Sequence, residues 1–312
     1  MTATVVTVTL NPAIDKTVTV PTLEVGGLNR IQQSRLDPGG KGINVAKVLH
    51  GFGLDVTATG FVAGIQGQHL LRQLHAIGLR SDFQEIEGDT RTNLKVYAED
   101  TRVTTEINEN GFTVSGEALA AFQQKLSKLL KRASVLVLGG SLPPGVPVHI
   151  YRDFIGLANA QGVKTILDAD GEALRQGIEA QPFVVKPNVY ELEQLFGRTL
   201  GTQDDIVGAG RELLDKGISL VVISMGSQGS IVLDREQAYQ VSPFPITPQS
   251  TVGAGDSMVA AIAYCLLAGK SVREIAEWAT TAGTVTASKS GTQVCTLPEV
   301  TQHLSRVKAL RI

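Results

Sequence analysis

The segment Ser250-Thr-Val-Gly-Ala-Gly-Asp-Ser257 runs straight into an apolar stretch, Met258 to Ala268. Gly253 and Gly255 let the backbone turn tightly, and successive N–H groups at a helix start form a nest for an anion. Asp256 puts a carboxylate inside that turn. A negative charge beside a phosphate site is costly unless it faces a second reactant, such as a hydroxyl whose proton it takes. The helix N-terminus predicts that Asp256 stays ionised at neutral pH. The plainer alternative is a loop in which Asp256 only caps the helix. A second cluster, Pro38-Gly-Gly-Lys-Gly-Ile-Asn44, also opens a helical pattern and sets Lys41 and Asn44 beside exposed N–H groups. There Gly39, Gly40 and Gly42 would let a polyhydroxy ligand touch backbone. Asp15 follows Asn11-Pro-Ala-Ile and is expected at the carboxyl end of the first parallel strand, where α/β sheets bind ligands. Turn chemistry alone would explain either segment taken singly.

The elements that must position these residues alternate along the chain. Residues Val56–Val62, Val135–Leu138, Thr165–Leu167, Phe183–Val185 and Leu220–Ile223 are short apolar runs of the doubly buried parallel type. Helix-period segments separate them: Ile43–His50, Gln68–Ala76, Glu117–Lys131, His149–Ala160, Glu191–Phe196 and Ile206–Lys216. This βαβ rhythm predicts an α/β fold with a mainly parallel central sheet. Lys16–Leu36 and Ser81–Asn108 break the rhythm with alternating β patterns and no helix, which predicts a small antiparallel layer carried by two excursions, about 16–36 and 88–110, of one domain spanning 1–312. The last third is expected to hold helices at Ser257–Ala268, Val272–Lys289 and Pro298–Lys308.

Composition fits this outline. The chain has 312 residues, 43% hydrophobic, with 33 glycines, well above the typical ~7% and without the proline and serine bias of a low-complexity tract. Its net charge of −2, from 28 basic and 30 acidic residues, gives no electrostatic footprint for nucleic acid. Cys265 and Cys295 lack C-x-x-C spacing and read as buried thiols of a reducing compartment. The β-branched start reads as a first strand rather than a signal peptide, and the longest apolar run is too short for a bilayer, so a cytoplasmic protein without a membrane partner is expected.

Pro38-Gly-Gly-Lys-Gly-Ile-Asn-Val-Ala46 and Ser250-Thr-Val-Gly-Ala-Gly-Asp-Ser-Met258 together resemble the two signatures of the ribokinase-like sugar kinases, and most closely their phosphofructokinase B branch. The likeness continues in order through Leu10–Asp15, Thr90–Lys95, Gly140–Gly145, Val185–Asn188 with Glu191, and Ser224–Gly229. It implies a three-layer αβα sandwich with a small β-sheet lid. Asp256 would then be the catalytic base, with the amides of Gly253, Ala254 and Gly255 around the transferred phosphoryl group. Asp15, Gly39, Gly40, Lys41 and Asn44 would hold the sugar, and Arg91 and Lys95, on one face of a strand, its existing phosphate. Lys186, Asn188, Ser224, Gly226, Gly229 and Gly283 would bind ATP. Asn188 and Glu191 would organise Mg²⁺ through water, although Asn188-Val-Tyr-Glu191 also reads as a helix capping box. Some relatives form a monovalent-cation site near residue 289, where Lys289 is expected to replace or reduce a K⁺ requirement. The branch also implies a possible homodimer through the lid.

Within the branch, the Gly-Gly-Lys41-Gly reading resembles 1-phosphofructokinases and tagatose-6-phosphate kinases, whereas minor 6-phosphofructokinases carry glycine at that position. Thr90–Lys95 favours 1-phosphofructokinase, hence fructose 1-phosphate as acceptor; Gly291–Cys295 is nearer the minor 6-phosphofructokinases. Two other enzyme classes are disfavoured. No strand is followed by G-x-G-x-x-G, and Gly269-Lys-Ser271 has Tyr264 where a P-loop needs its leading glycine. A catalytically silent sugar-phosphate sensor would be expected to lose Asp256.

Overall fold

Period-two side-chain alternation sends neighbouring residues of each apolar strand to opposite faces of one sheet, and each face must then be covered by helices. The computed structural model describes residues 4–312, so positions 1–3 of the expected first strand lie outside the described residues. The first half holds β1 (Thr4–Thr9), β2 (Ala13–Val20), β3 (Gln33–Gly39), α1 (Lys41–Gly51), β4 (Asp55–Ala63), α2 (Gly64–Ala76), β5 (Arg80–Ile86), β6 (Arg91–Ala98), β7 (Val103–Asn108), α3 (Gly116–Leu130), β8 (Ala133–Gly139) and α4 (Ile150–Asn159). The second half continues with β9 (Lys164–Asp168), α5 (Gly171–Ile178), β10 (Val184–Val185), α6 (Val189–Phe196), α7 (Gln203–Asp215), β11 (Leu220–Ser224), β12 (Ser230–Leu233), β13 (Ala238–Ser242), α8 (Ala254–Leu267), α9 (Val272–Ala287), α10 (Leu297–His303) and β14 (Lys308–Arg311).

Ten strands form the main sheet in the order β14-β13-β12-β11-β10-β9-β8-β1-β4-β5. Pairing is parallel from β5 through β11 and antiparallel from β11 to β14. On one face Val5, Val135, Val137, Val184 and Val222 pack with residues of α1, α8 and α9. On the other, Val6, Leu136, Leu138, Val185 and Val221 pack with α3, α4 and α7. The sheet therefore lies between two helical layers, as the αβα expectation required. Among the described residues no helix is long and apolar enough to cross a membrane. Both cysteines are buried free thiols.

A second sheet has the order β3-β2-β6-β7. It is mixed rather than antiparallel, because β2 and β6 run parallel side by side while β3 and β7 pair antiparallel at the edges. The two excursions meet through their first strands, a pairing between distant segments that local patterning does not reveal. The register puts Asp15, Thr17, Asn93 and Lys95 on one face, and Val18, Val20, Leu94 and Val96 on the other.

Two further segments depart from expectation. Residues 81–86 belong to β5 at the edge of the main sheet, not to the small layer. The helix expected over Pro298–Lys308 stops at His303, turns through Leu304–Arg306, and gives β14, which pairs with β13. A free sheet edge there decides what helix propensity leaves open. The short α5 was not expected from the sequence; it buries only Leu174, Gly177 and Ile178.

Candidate active site

The start of α8 brings the anion nest and the carboxylate together. Gly253 sits just before the helix at φ +79°, a conformation that costs an L-residue roughly 1–2 kcal/mol, and no side chain caps the turn. The first intrahelical bond there runs from Ser257 N–H to the Gly253 carbonyl, so the N–H groups of Gly255 and Asp256 precede it. The N–H of Ala254 donates instead to the Thr251 carbonyl at 3.3 Å. Asp256 is buried at 7% exposure, and its Oδ2 accepts a 2.8 Å hydrogen bond from Asn44 Nδ2 on α1.

Burial, then the like charge of Asp168, push the Asp256 carboxyl up to about 6, against the Asn44 hydrogen bond and the ammonium groups of Lys41 and Lys186. Desolvation therefore outweighs the favourable contacts and raises the carboxyl above its ordinary value. Asp256 is still mainly ionised at pH 7, with a basicity suited to taking a proton near neutrality.

Asp168, at the carboxyl end of β9, is the principal residue that motif reading missed. It is visible by the same strand-end rule that was applied to Asp15. Its Oδ1 accepts from Lys41 Nζ at 3.0 Å and lies 3.3 Å from Lys186 Nζ, while its carbonyl accepts from Lys41 Nζ at 3.2 Å. Burial pushes the Asp168 carboxyl up, but Lys186 and Lys41 together outweigh it and hold it below the usual carboxylate range. Burial lowers Lys41, yet the charges of Asp168 and Asp256 outweigh that and raise it. Lys186 Nζ stands 3.7 Å from where a Cβ on Gly255 would be, so this cation cluster adjoins the α8 turn. Lys41, expected on the sugar side, thus turns its ammonium to the group that contains Lys186.

The nucleotide-side residues are only partly gathered. A cleft of about 490 Å³ is lined by Asn188, Ser224 and Gly226 together with Tyr190, Leu200 and Gln240. Asn188 bridges to Ser224 as if in a parallel pair. Gly226 and Gly229 bound the tight turn of the antiparallel β11–β12 hairpin. Gly283 lies inside the α8–α9 contact: a Cβ there would stand 2.9 Å from Met258 Cγ. This close packing is what the structure shows of Gly283.

Asn188 and Glu191 form the capping box of α6, with Asn188 Oδ1 accepting from Glu191 N–H at 2.8 Å and Glu191 Oε2 from Asn188 N–H at 2.9 Å. Burial pushes the Glu191 carboxyl up. Among the described residues no three acidic, His or Cys side chains gather as a metal cage. Hard oxygen donors with room for retained waters fit Mg²⁺, and Asn188 and Glu191 offer oxygen of that kind.

Of the residues expected to hold the sugar and its phosphate, Asp15, Arg91 and Lys95 share the polar face of the small sheet. Asp15 is not at the end of β1 as expected but within β2, directly opposite Asn93, because the chain turns at Asn11–Pro12 into a new strand. Its carboxylate accepts from Asn93 Nδ2 and from Lys95 Nζ, each at 3.1 Å, and it lies over Gly39. Lys95 is buried rather than solvated at the surface. Arg91 Nη2 donates to the Asn11 carbonyl and to Ser141 Oγ, at 3.1 and 3.2 Å. Arg91 Nε, Asn93 Oδ1 and Asn11 Oδ1 are buried without a partner, which is how a site for a polar ligand presents itself. Asn11, Asn93 and Ser141 stood inside the motifs but carried no role on sequence grounds. Gly40 precedes α1 at φ +113°. Lys289 Nζ is held by Glu299 at 2.7 Å, so the expected replacement of K⁺ by its ammonium loses geometric support.

Comparison with known proteins follows the same outline. The profile of the pfkB family of carbohydrate kinases matches residues 8–300. The chain is 35% identical over 306 residues to 1-phosphofructokinase of Bacillus subtilis (strain 168), covering 98% of this chain and 99% of that protein. It is 36% identical over 308 residues to 1-phosphofructokinase of Escherichia coli (strain K12), covering 98% of each. A crystal structure of phosphofructokinase-2 from Escherichia coli in complex with potassium superposes with a TM-score of 0.92 at 33% identity, over 98% of this chain and 100% of that one. With the family profile spanning nearly the whole chain and relatives this similar from end to end, the protein belongs to the pfkB family of carbohydrate kinases.

Proposed function

We propose that this sugar-phosphate kinase transfers the γ-phosphoryl group of ATP to the 6-hydroxyl of fructose 1-phosphate, giving fructose 1,6-bisphosphate and ADP. The observation that carries the reading is the convergence of Asp256, Asn44, Lys41 and Lys186 at the α8 turn, with the Asp15–Lys95 face of the small sheet bearing the partly unpaired Arg91 and Asn93. The names of the two curated relatives, and the likeness of the Thr90–Lys95 segment to 1-phosphofructokinases, favour fructose 1-phosphate among the candidate acceptors.

In this reading Asp15 and Asn44 orient the sugar, and Arg91 with Lys95 holds its 1-phosphate. Asp256 takes the 6-hydroxyl proton as that oxygen attacks the γ-phosphorus. The bond from the γ-phosphorus to the ADP oxygen breaks, and the proton leaves Asp256 for solvent after transfer. The N–H groups of Gly255 and Asp256, with Lys186 and Lys41, stabilise the moving charge; positioning and electrostatics supply nearly all catalysis in phosphoryl transfer. Mg²⁺, held by Asn188 and Glu191 through water, would neutralise phosphate charge. The small sheet acts as a lid that keeps water from the phosphoryl group.

An ADP-release assay across fructose 1-phosphate, fructose 6-phosphate and tagatose 6-phosphate tests the choice of sugar. The expected result is a kcat/KM for fructose 1-phosphate at least tenfold above the others. Equal values for all three overturn a dedicated 1-phosphofructokinase, and a dominant rate on either 6-phosphate moves the assignment to that sugar. A second copy of this chain is the proposed occupant of the apolar face of the small sheet, where Leu36, Val103 and Ile107 are exposed; Val25, Leu28 and Ile31 of the β2–β3 connection are exposed as well.

A further inference from the structure

Asp168 has no part in the scheme above, yet Lys41 and Lys186, two of its three lysines, touch it. A buried ion cluster is weak evidence for stability, since apolar replacements of similar volume are often neutral or better. Asp168 therefore calls for another reason, and its surroundings supply one. Its side chain is 4% exposed, and a single oxygen receives Lys41 from α1 and Lys186 from the segment after β10. The Lys186 N–H donates to the Leu167 carbonyl at 3.0 Å, so the β9–β10 pairing itself sets Asp168 and Lys186 side by side. Lys41 comes from 127 residues away and keeps a third of its side chain exposed, on the open side of the cluster. Without a negative charge between them, two ammonium groups this near one atom would repel and part.

We propose that Asp168 is a positioning residue for phosphoryl transfer: it draws the ammonium groups of Lys41 and Lys186 onto one oxygen and holds them beside the Gly255–Asp256 turn, where the charge of the transferring group develops. This rests on the kinase reading of the site. Asp168 contributes nothing to holding phosphate by itself; its own charge repels one. What it fixes is where two cations stand, and that placement counts most in the transition state. It also acts on the base. The groups facing Asp256 include Asn44, Lys41 and Lys47 from α1, Asp168 from the end of β9 and Lys186 beyond β10, and of these only Asp168 disfavours the Asp256 carboxylate.

The test compares Asp168→Asn and Asp168→Glu with the wild type, using whichever sugar phosphate the wild-type enzyme turns over fastest, so that a wrong sugar assignment leaves the result readable. Asp168→Asn should lower kcat about 10- to 100-fold, the scale of a misplacement near 1 Å. Its affinity for inorganic tripolyphosphate, measured by calorimetry, should stay level or tighten, because a negative charge has left the site. The acid limb of kcat/KM should move to lower pH. Asp168→Glu, which keeps the charge but shifts it by one methylene, should return the acid limb to the wild-type position without restoring kcat. Wild-type kcat in Asp168→Asn overturns the proposal. So does a loss of tripolyphosphate affinity beyond tenfold with an unmoved acid limb, the outcome of a merely structural role.

Discussion

Asp256 is governed by competing neighbours at contact distance. Asn44 favours its charged form through a 2.8 Å hydrogen bond, while burial and Asp168 disfavour it, and the balance sits at about 6. A base must be deprotonated to act, so kcat/KM should fall about tenfold per pH unit below that value and be level above it. Asp256→Asn should lower kcat by 10² to 10⁴ with little change in KM. A variant with substantially retained kcat would remove Asp256 from the base role. At this scale the sequence was a good guide to residue type: a carboxylate in a glycine turn pointed to proton transfer. The ionised state at neutral pH was legible too, but not the rise in the carboxyl, because desolvation depends on what lies over the turn, and no residue near Asp256 in the chain reports that.

At the scale of elements, α8 and α9 are locked by close packing. Gly283 admits Met258 to within 2.9 Å of its missing Cβ. Gly283→Val should overpack this contact and cost about 1–3 kcal/mol, read as a lowered denaturation midpoint. Because α8 carries the Gly253–Asp256 turn at its start, kcat should fall along with stability; an unchanged midpoint would show that the contact yields without strain. The capping box of α6 was legible from Asn188 and Glu191 alone, since its bonds close within three residues. The end of α10 was not, because β14 is stabilised by β13, some seventy residues away in sequence.

Across the whole molecule, the small sheet joins the site to the outer surface. Its polar face carries Asp15 and Lys95, and its far face is apolar. Thr292 Oγ1 donates to Asp37 Oδ2 at 2.7 Å, tying β3 to the segment between α9 and α10. If the apolar face docks a second copy, Leu36→Asp combined with Ile107→Asp should give a monomer by sedimentation where the wild type sediments as a dimer; equal masses for the two would dismiss that interface. The sequence by itself determined what short-range chemistry can encode: the βαβ alternation, the two glycine turns, the capping box and the residue types of a phosphoryl-transfer site. Only the tertiary structure decided that β2 and β6 pair in parallel, that Lys41 pairs with Asp168, and that burial raises Asp256. The physical reason is common to all three. Strand partners, ion partners and desolvation are set by contacts between segments far apart in the chain, whose energies depend on neighbours that no local pattern names.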